Sequence, residues 1–429
     1  MADFQMCVGV AGAANPEPSF PGHAETIADR SSVIAIDFDR MCRNRLARVR
    51  NAMEARDCDA LLLFDPVNIR YASGARNMQI WAMRNAARYC LILRSGPLIL
   101  FEIGGRPEPA AGLVAIDEIR RSRPWFYYYA GAHAQDHARD FAREIAGIMT
   151  DWRGEGDRRL LAVDRCDALG LAALQECGLE PIDAQALMEH ARRIKSEDEI
   201  GAIRQSIAVC ELGIDRMRSA LQPGMSENAL WSILHHTNIE QGGEYIDTRL
   251  LSSGTRTNPW YQEASVKLIA SGELVSFDCD LIGPLGYGAD LSGAFVCGRD
   301  RASPAQRELY RRAYDQIEHN SSLLAVGTPL CEIAAGAMRL PEEYHQFHRI
   351  AHGNGMATGE FPAIGGRPGF AEPPIHDGVL EEGMVLCVGS YAGLRSGGEG
   401  VKLERQFVLR ENGPVALSRS LKDPAFIAI

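Results

Sequence analysis

The stretch Val275–Val296, VSFDCDLIGPLGYGADLSGAFV, decides how the rest of the chain is read. Two apolar, β-prone runs flank a Gly/Pro-rich turn, the pattern of a hairpin. Asp278 and Asp280 are two residues apart, which on a strand puts both on one face. Asp290 comes back on the returning strand, opposite them. Three carboxylates on one face of a buried hairpin repel one another and lose hydration, so they need a counter-charge. A hard or borderline metal ion supplies it most simply. The alternative, one Asp making the turn and the others facing water, fits poorly with neighbours as apolar as Phe277, Leu281 and Leu291.

Two later segments add donors. His352 opens HGNG, a small-residue turn that lets an imidazole stand clear of its backbone. A satisfied core histidine and a metal ligand are both open readings there. Glu404, in GEGVKLERQFVLR, alternates with Val401 and Leu403. Inside an apolar strand a carboxylate is costly unless paired, which leaves a ligand role or a salt bridge to Arg405. Glu399 is five residues from Glu404, an odd separation that puts it on the other face of a straight strand.

At 429 residues the chain exceeds what one hydrophobic core usually spans, so two domains are expected. Hydrophobic residues at 46% and charged residues at 24% exclude a disordered chain. Lys+Arg 45 against Asp+Glu 56 gives −11, which argues against a nucleic-acid or anionic-membrane surface. Eleven cysteines are scattered without a CxxC pair, and several sit in apolar runs where a thiol packs as a small hydrophobe. No apolar run reaches membrane-spanning length, and the N-terminus, with Asp3, lacks a basic leader region. A reducing cytoplasm is the expected compartment.

In chain order, residues 1–36 are rich in Ala, Pro, Gly and Ser and read as an arm. Residues 37–190 read as an α/β domain. Helices are expected at Met41–Arg56, His137–Met149 and Ala168–Cys177, with strands at Ala60–Phe64, Tyr89–Leu93, Pro97–Phe101 and Leu160–Val163. Residues 191–429 form the second domain. Ser196 and Glu199 match a capping box for a helix running to Leu221. A second helix spans Ser226–Gln241, and Ser303-Pro304 starts a long third by the same capping logic. A short helix follows at Cys331–Met338. Strands dominate Thr248–Cys297 and return at Met384–Val388 and Gly400–Leu409.

The order Asp, Asp, His, Glu at these spacings resembles the pita-bread metallohydrolases, the M24 superfamily of aminopeptidase P, prolidase, methionine aminopeptidase and creatinase. The resemblance covers nearly the whole chain and implies an α/β N-terminal domain followed by an α+β pita-bread catalytic domain. Within it, the chain is most similar to the dimethylsulfoniopropionate lyases of marine bacteria. The runs that carry this are FDPVNIRYASGARNMQIW (Phe64–Trp81), GGEYIDTRLLSSGTRTNPWYQE (Gly242–Glu263), SFDCDLIG (Ser276–Gly283) and GMVLCV (Gly383–Val388). The resemblance implies one or two divalent ions (iron, manganese, cobalt or zinc), a small-molecule substrate and a homodimer. On this resemblance Asp278, Asp280, Asp290, His352 and Glu404 are the expected metal ligands.

Several positions depart from the pattern. Family peptidases carry a catalytic His where this chain has Trp260, between Pro259 and Tyr261; the lyases have Trp there. Gly359 stands where the peptidases have a second His and the lyases an Asp. Phe347 replaces a Tyr of the lyases, and Gly389 stands where the family's first Glu ligand is expected. Proton-handling groups must then come from elsewhere, and the candidates are Glu360, just after the lost base, and Tyr391, beside the missing Glu. Their alternatives are a loop salt bridge and a core aromatic. Trp81, Trp260 and its neighbour Tyr261 match places expected near a substrate, where aromatic faces would hold a sulfonium or quaternary ammonium. Three functions follow. They are a metal-dependent lyase or hydrolase acting on a small zwitterionic carboxylate, an Xaa-Pro-type metallohydrolase, and a non-catalytic relative with a degraded metal site.

Overall fold

The computed structural model describes residues 36–153, 160–298, 301–347, 349–365 and 376–427. The expected arm, residues 1–36, lies outside these except for Ile36.

The first domain is built on a six-stranded mixed sheet. Its strands are β1 (Ala60–Leu63), β2 (Tyr89–Leu93), β3 (Leu98–Glu102), β4 (Glu118–Arg121), β5 (Leu160–Val163) and β6 (Glu180–Asp183). They lie in the order β4-β3-β2-β1-β5-β6. The inner strands are apolar, apart from Glu102 at the end of β3, because helices cover both faces. Leu61, Leu63, Cys90 and Ile92 pack with Met41, Val49 and Met53 of the helix Phe38–Ala55. The alternate residues Leu62, Leu91 and Phe101 pack with Phe141, Ile145 and Met149 of the helix Ala134–Arg153. Where the sequence suggests only the end of a strand at Asp65-Pro66, Asp65 caps a short helix, Pro66–Ser73, with Pro at its first position.

The second domain is a curved sheet of nine strands backed by helices, the expected pita-bread layout. The main sheet contains β8 (Leu251–Ser253), β9 (Leu274–Asp278), β12 (Ser292–Val296), β14 (Arg349–Gly353), β15 (Glu360–Gly365), β16 (Val385–Leu394) and β17 (Gly400–Arg410). Their order is β15-β14-β16-β17-β12-β9-β8, with β13 (Tyr344–Gln346) paired to β16 and β18 (Gly413–Ala416) to β17. Both expected capping boxes form, Ser196 with Glu199 on the helix Glu197–Ala220 and Ser303 with Gln306 on the helix Pro304–Ser322. Each joins a side-chain acceptor to a free amide at both ends of the motif, which fixes the helix start.

The hairpin of Val275–Val296 forms, with β9 and β12 antiparallel from Leu274↔Val296 to Asp278↔Ser292. The strand does not run straight through both acids, however. Asp280 has φ +39°, and beyond it the chain enters a small sheet of β7 (Tyr245–Ile246), β10 (Leu281–Ile282) and β11 (Gly288–Ala289). A kink, rather than simple strand alternation, therefore aims Asp280. Among the described residues no helix is long and apolar enough to cross a membrane.

Candidate metal centre

Four antiparallel strands align the site in a single row. Asp278 on β9 pairs with Ser292 on β12, Ser292 with Glu404 on β17, and Glu404 with Gly389 on β16. Paired residues point to the same face of a sheet, so Asp278, Ser292 and Glu404 share one surface. The neighbouring row adds His352, opposite Cys387, which is itself opposite Gln406. Asp290, between β11 and β12, is held by its backbone N–H donating to Gln406 Oε1 at 3.3 Å.

These residues form two overlapping groups of donors. Asp290, His352, Cys387 and Glu404 offer atoms within 4.8 Å of one another, and so do Asp278, Asp280 and Asp290. All are buried except Asp280, which is half-buried. The carboxylates expected to converge do converge.

The donor set fits a divalent ion. Asp290 Oδ1 and Glu404 Oε1 are buried without a hydrogen-bond partner, an expensive state unless a cation faces them. His352 Nδ1 lies 3.0 Å from the Gly353 carbonyl, which turns Nε2 toward the acids. That nitrogen stands 3.3 Å from Asp290 Oδ2 and 3.3 Å from Glu404 Oε1. An imidazole nitrogen set among carboxylates needs a ring proton or a metal ion between them. Burial, followed by the charges of Glu404 and Asp280, pushes the Asp290 carboxyl well up. Burial, then Asp278, pushes Asp280 up to about 7.

One cation is already present, and it is a residue that the sequence reading passed over. Lys402 is fully buried, with Nζ 3.1 Å from Asp278 Oδ2, 2.9 Å from Ser292 Oγ and in contact with Glu404 Oε2. Burial works against its charge, but Asp278, Glu404 and Asp290 outweigh that and push the ammonium pKa up. Glu404 shows the reverse: burial raises its pKa, yet Lys402 and His352 hold it down to about 2. The signal was available, since Lys402 is two residues from Glu404 and the parity that turns one inward turns the other inward too. The thiol of Cys387, one of the cysteines set in an apolar run, lies among the donors and takes an N–H from Asn354 at 3.3 Å. Glu404 does not pair with Arg405, which turns out to Glu318. Glu399 ties the Leu274 amide and Gln306 instead, as its opposite parity implies.

Aromatic rings wall the site. Phe347 lies 5.0 Å from Lys402 Nζ, Tyr261 6.2 Å from Phe347, and Trp260 between Tyr261 at 6.4 Å and Tyr391 at 5.9 Å. Trp260 is buried, whereas Tyr261 is 67% exposed and sits at φ +74°. Trp81 is placed differently, on a short helix of the first domain with its ring against Phe126. The structure thus shows it in a packing contact of its own domain.

The two candidate proton-handling groups are both engaged. Glu360 is buried and meets Lys195 Nζ at 2.9 Å and Arg192 Nε at 3.3 Å, and it accepts from the Met356 amide at 3.0 Å. Burial raises its pKa, but the two cations win and the net shift is downward, away from what a proton-handling carboxyl needs. The loop salt bridge is what forms. Tyr391 is buried and donates to the Thr257 carbonyl at 2.9 Å, and burial pushes its phenol up. It serves as a wall beside Trp260.

Comparison with known proteins agrees with this geometry. Residues 201–411 match the model of metallopeptidase family M24, and residues 45–194 match the creatinase/prolidase N-terminal domain. The dimethylsulfoniopropionate lyase DddP of Roseovarius nubinhibens is 36% identical, over 91% of this chain and 88% of that protein. The lyase of the same name from Roseobacter denitrificans is 33% identical, over 92% and 89%. Among solved structures, an Xaa-Pro dipeptidase from Bacillus anthracis superposes with a TM-score of 0.71 at 20% identity, covering 89% of this chain and 99% of that one. Prolidase from Pyrococcus furiosus gives 0.68 at 18%, covering 86% and 99%. The two-domain fold, the gathered acids and the full-length relatives lead to one assignment: this chain belongs to metallopeptidase family M24, in its creatinase/prolidase two-domain form and alongside the dimethylsulfoniopropionate lyases.

Proposed function

We propose that the chain is a metal-dependent lyase acting on a small zwitterionic carboxylate of the dimethylsulfoniopropionate type. The observation that carries this is the pairing of full-length similarity to two such lyases with an aromatic wall directly over the acidic centre. A sulfonium or quaternary ammonium finds its attraction on aromatic faces, and Trp260, Tyr261, Phe347 and Tyr391 present four of them. Asp290, His352 and Glu404, with Asp278 and Asp280 beside them, would hold the metal. The ion's identity among iron, manganese, cobalt and zinc follows from availability as much as from these ligands. When bound, a divalent ion supplies Lewis-acid stabilisation of charge developing at the substrate carboxylate. Tyr261, open to solvent, is the wall residue placed to meet an entering substrate. In the overall reaction a base removes the proton next to the carboxylate, the C–S bond breaks, and the sulfide leaves with the bonding pair to give acrylate.

Purified protein loaded with metal is expected to form acrylate from dimethylsulfoniopropionate above a heat-killed control, and His352→Ala is expected to lose both metal and product. No acrylate from loaded protein sinks the reading. The Xaa-Pro hydrolase alternative shares the fold, but Trp260 and Gly359 remove both expected proton-handling His side chains. Proline release from a short Xaa-Pro peptide would establish it. We also infer a cytoplasmic homodimer: the ten described cysteines are all unpaired thiols, as a reducing compartment leaves them, and the family resemblance supports the dimer.

A further inference from the structure

We propose that Lys402 stands in for a metal ion, so that the centre binds a single divalent ion among Asp290, His352 and Glu404. This rests on the metal-site reading above and adds its stoichiometry. The two donor groups share Asp290, a layout with room for an ion in each. Their atoms are not equally free. Asp278 has both oxygens engaged, Oδ1 by the Ser292 hydroxyl at 2.6 Å and Oδ2 by Lys402 Nζ at 3.1 Å. Asp280 Oδ2 accepts from the Thr248 hydroxyl at 2.6 Å. On the other side, Asp290 Oδ1 is buried without a hydrogen-bond partner, and Glu404 Oε1 faces His352 Nε2 at 3.3 Å, a gap a metal ion can enter.

Lys402 Nζ already lies against Asp278 Oδ2 and Glu404 Oε2, so a second ion beside Asp278 would have to displace it. Lys402 is held on three sides, by the two carboxylates, by Ser292 Oγ at 2.9 Å and by the Phe347 ring at 5.0 Å. Gly389 completes the arrangement. A Cβ built there would lie 3.0 Å from Glu404 Oε1 and 3.2 Å from Oε2, so the Glu404 carboxylate already fills the space a side chain at 389 would need.

The test is manganese binding by the full chain, read as ions per chain and by electron paramagnetic resonance. The native protein is expected to saturate at one ion with the spectrum of an isolated ion. Lys402→Met keeps the length and removes the charge, freeing Asp278 Oδ2 and Glu404 Oε2. It is expected to take two ions with an exchange-coupled spectrum. Two coupled ions in the native protein overturn the proposal, as does a Lys402→Met protein that is folded by circular dichroism yet saturates at one. If Lys402→Met does not fold, Lys402→Gln takes its place, and the native measurement decides by itself between one ion and two. Manganese that fails to bind the native protein at all is a different result, and it removes the metal-site reading on which this one stands.

Discussion

Because Lys195 and Arg192 both close on Glu360, removing that single negative charge strands the buried Lys195 ammonium and leaves Arg192 with Glu189 alone among carboxylates. Glu360→Gln is therefore expected to lower unfolding stability by about 3 kcal/mol, the usual cost of breaking a buried pair from one side. Urea midpoints of the two proteins check this, and a loss under about 1 kcal/mol would mean that the cations find other partners. The residue scale also shows what sequence can and cannot reveal. Asp278, Asp290, His352 and Glu404 were legible because a polar group in an apolar strand announces an unusual environment. Lys402 satisfies the same criterion, but a lysine is not a ligand, and its partner Asp278 lies far away in sequence on a strand two places across the sheet. Trp81, packed on Phe126, and Glu360, in its salt bridge with Lys195, make a related point. Position beside a motif does not say which neighbour a side chain meets.

At the scale of elements, local chemistry was readable and tertiary bending was not. Ser196 accepts from the Glu199 amide while Glu199 reaches back to the Ser196 amide, a closed local circuit that needs no knowledge of the fold. Ser196→Ala should cost about 1 kcal/mol, measured by chemical denaturation, with the helix Glu197–Ala220 otherwise retained. Glu199 has further ties, to Arg48 at 2.8 Å and to the Tyr287 hydroxyl at 2.9 Å. Glu199→Ala should for that reason cost more than Ser196→Ala in the same experiment, by about 1 kcal/mol or above. The kink at Asp280 had no such local signature. A positive φ at a non-glycine residue is paid for by its surroundings, here the small sheet of β7, β10 and β11, whose pairing joins residues 245–246 to 281–282.

For the whole molecule, length and the resemblance together announced two domains, but not what locks them. Arg40 meets Asp198 at 2.7 Å, and Arg70 meets Glu244 at 2.7 Å, so cations of the first domain reach carboxylates of the second. Arg45, buried and 5.6 Å from the Tyr287 ring, adds a cation–aromatic contact to the same seam. The arginines of the first helix stand plainly in the sequence, yet their partners lie in a domain begun about 150 residues later. Global stability should also carry the mark of Asp164, whose carboxyl burial pushes up to about 6. An unfolded Asp releases its proton near pH 4, so between about pH 4 and 6 the native state keeps a proton that the unfolded state has lost. This contribution therefore favours folding at the acid end and fades as pH rises through that window, by on the order of 1–2 kcal/mol. Asp164→Asn should flatten that part of the stability profile, and unchanged slopes in urea titrations across the window would contradict the assignment.

The row Asp278–Ser292–Glu404–Gly389 has one more consequence. Its members are separated by hydrogen-bonded strands, and strands in a ladder keep a spacing of about 4.8 Å whatever their side chains. The sheet acts as a ruler for the centre, and the connecting loops only deliver strands to it. Exchanging the turn at Pro284–Gly286 or the segment between β16 and β17 for another of equal length should leave the donors in place. Inserting one residue in β17 ahead of Lys402 would turn Lys402 and Glu404 outward together and take both from the centre in a single step.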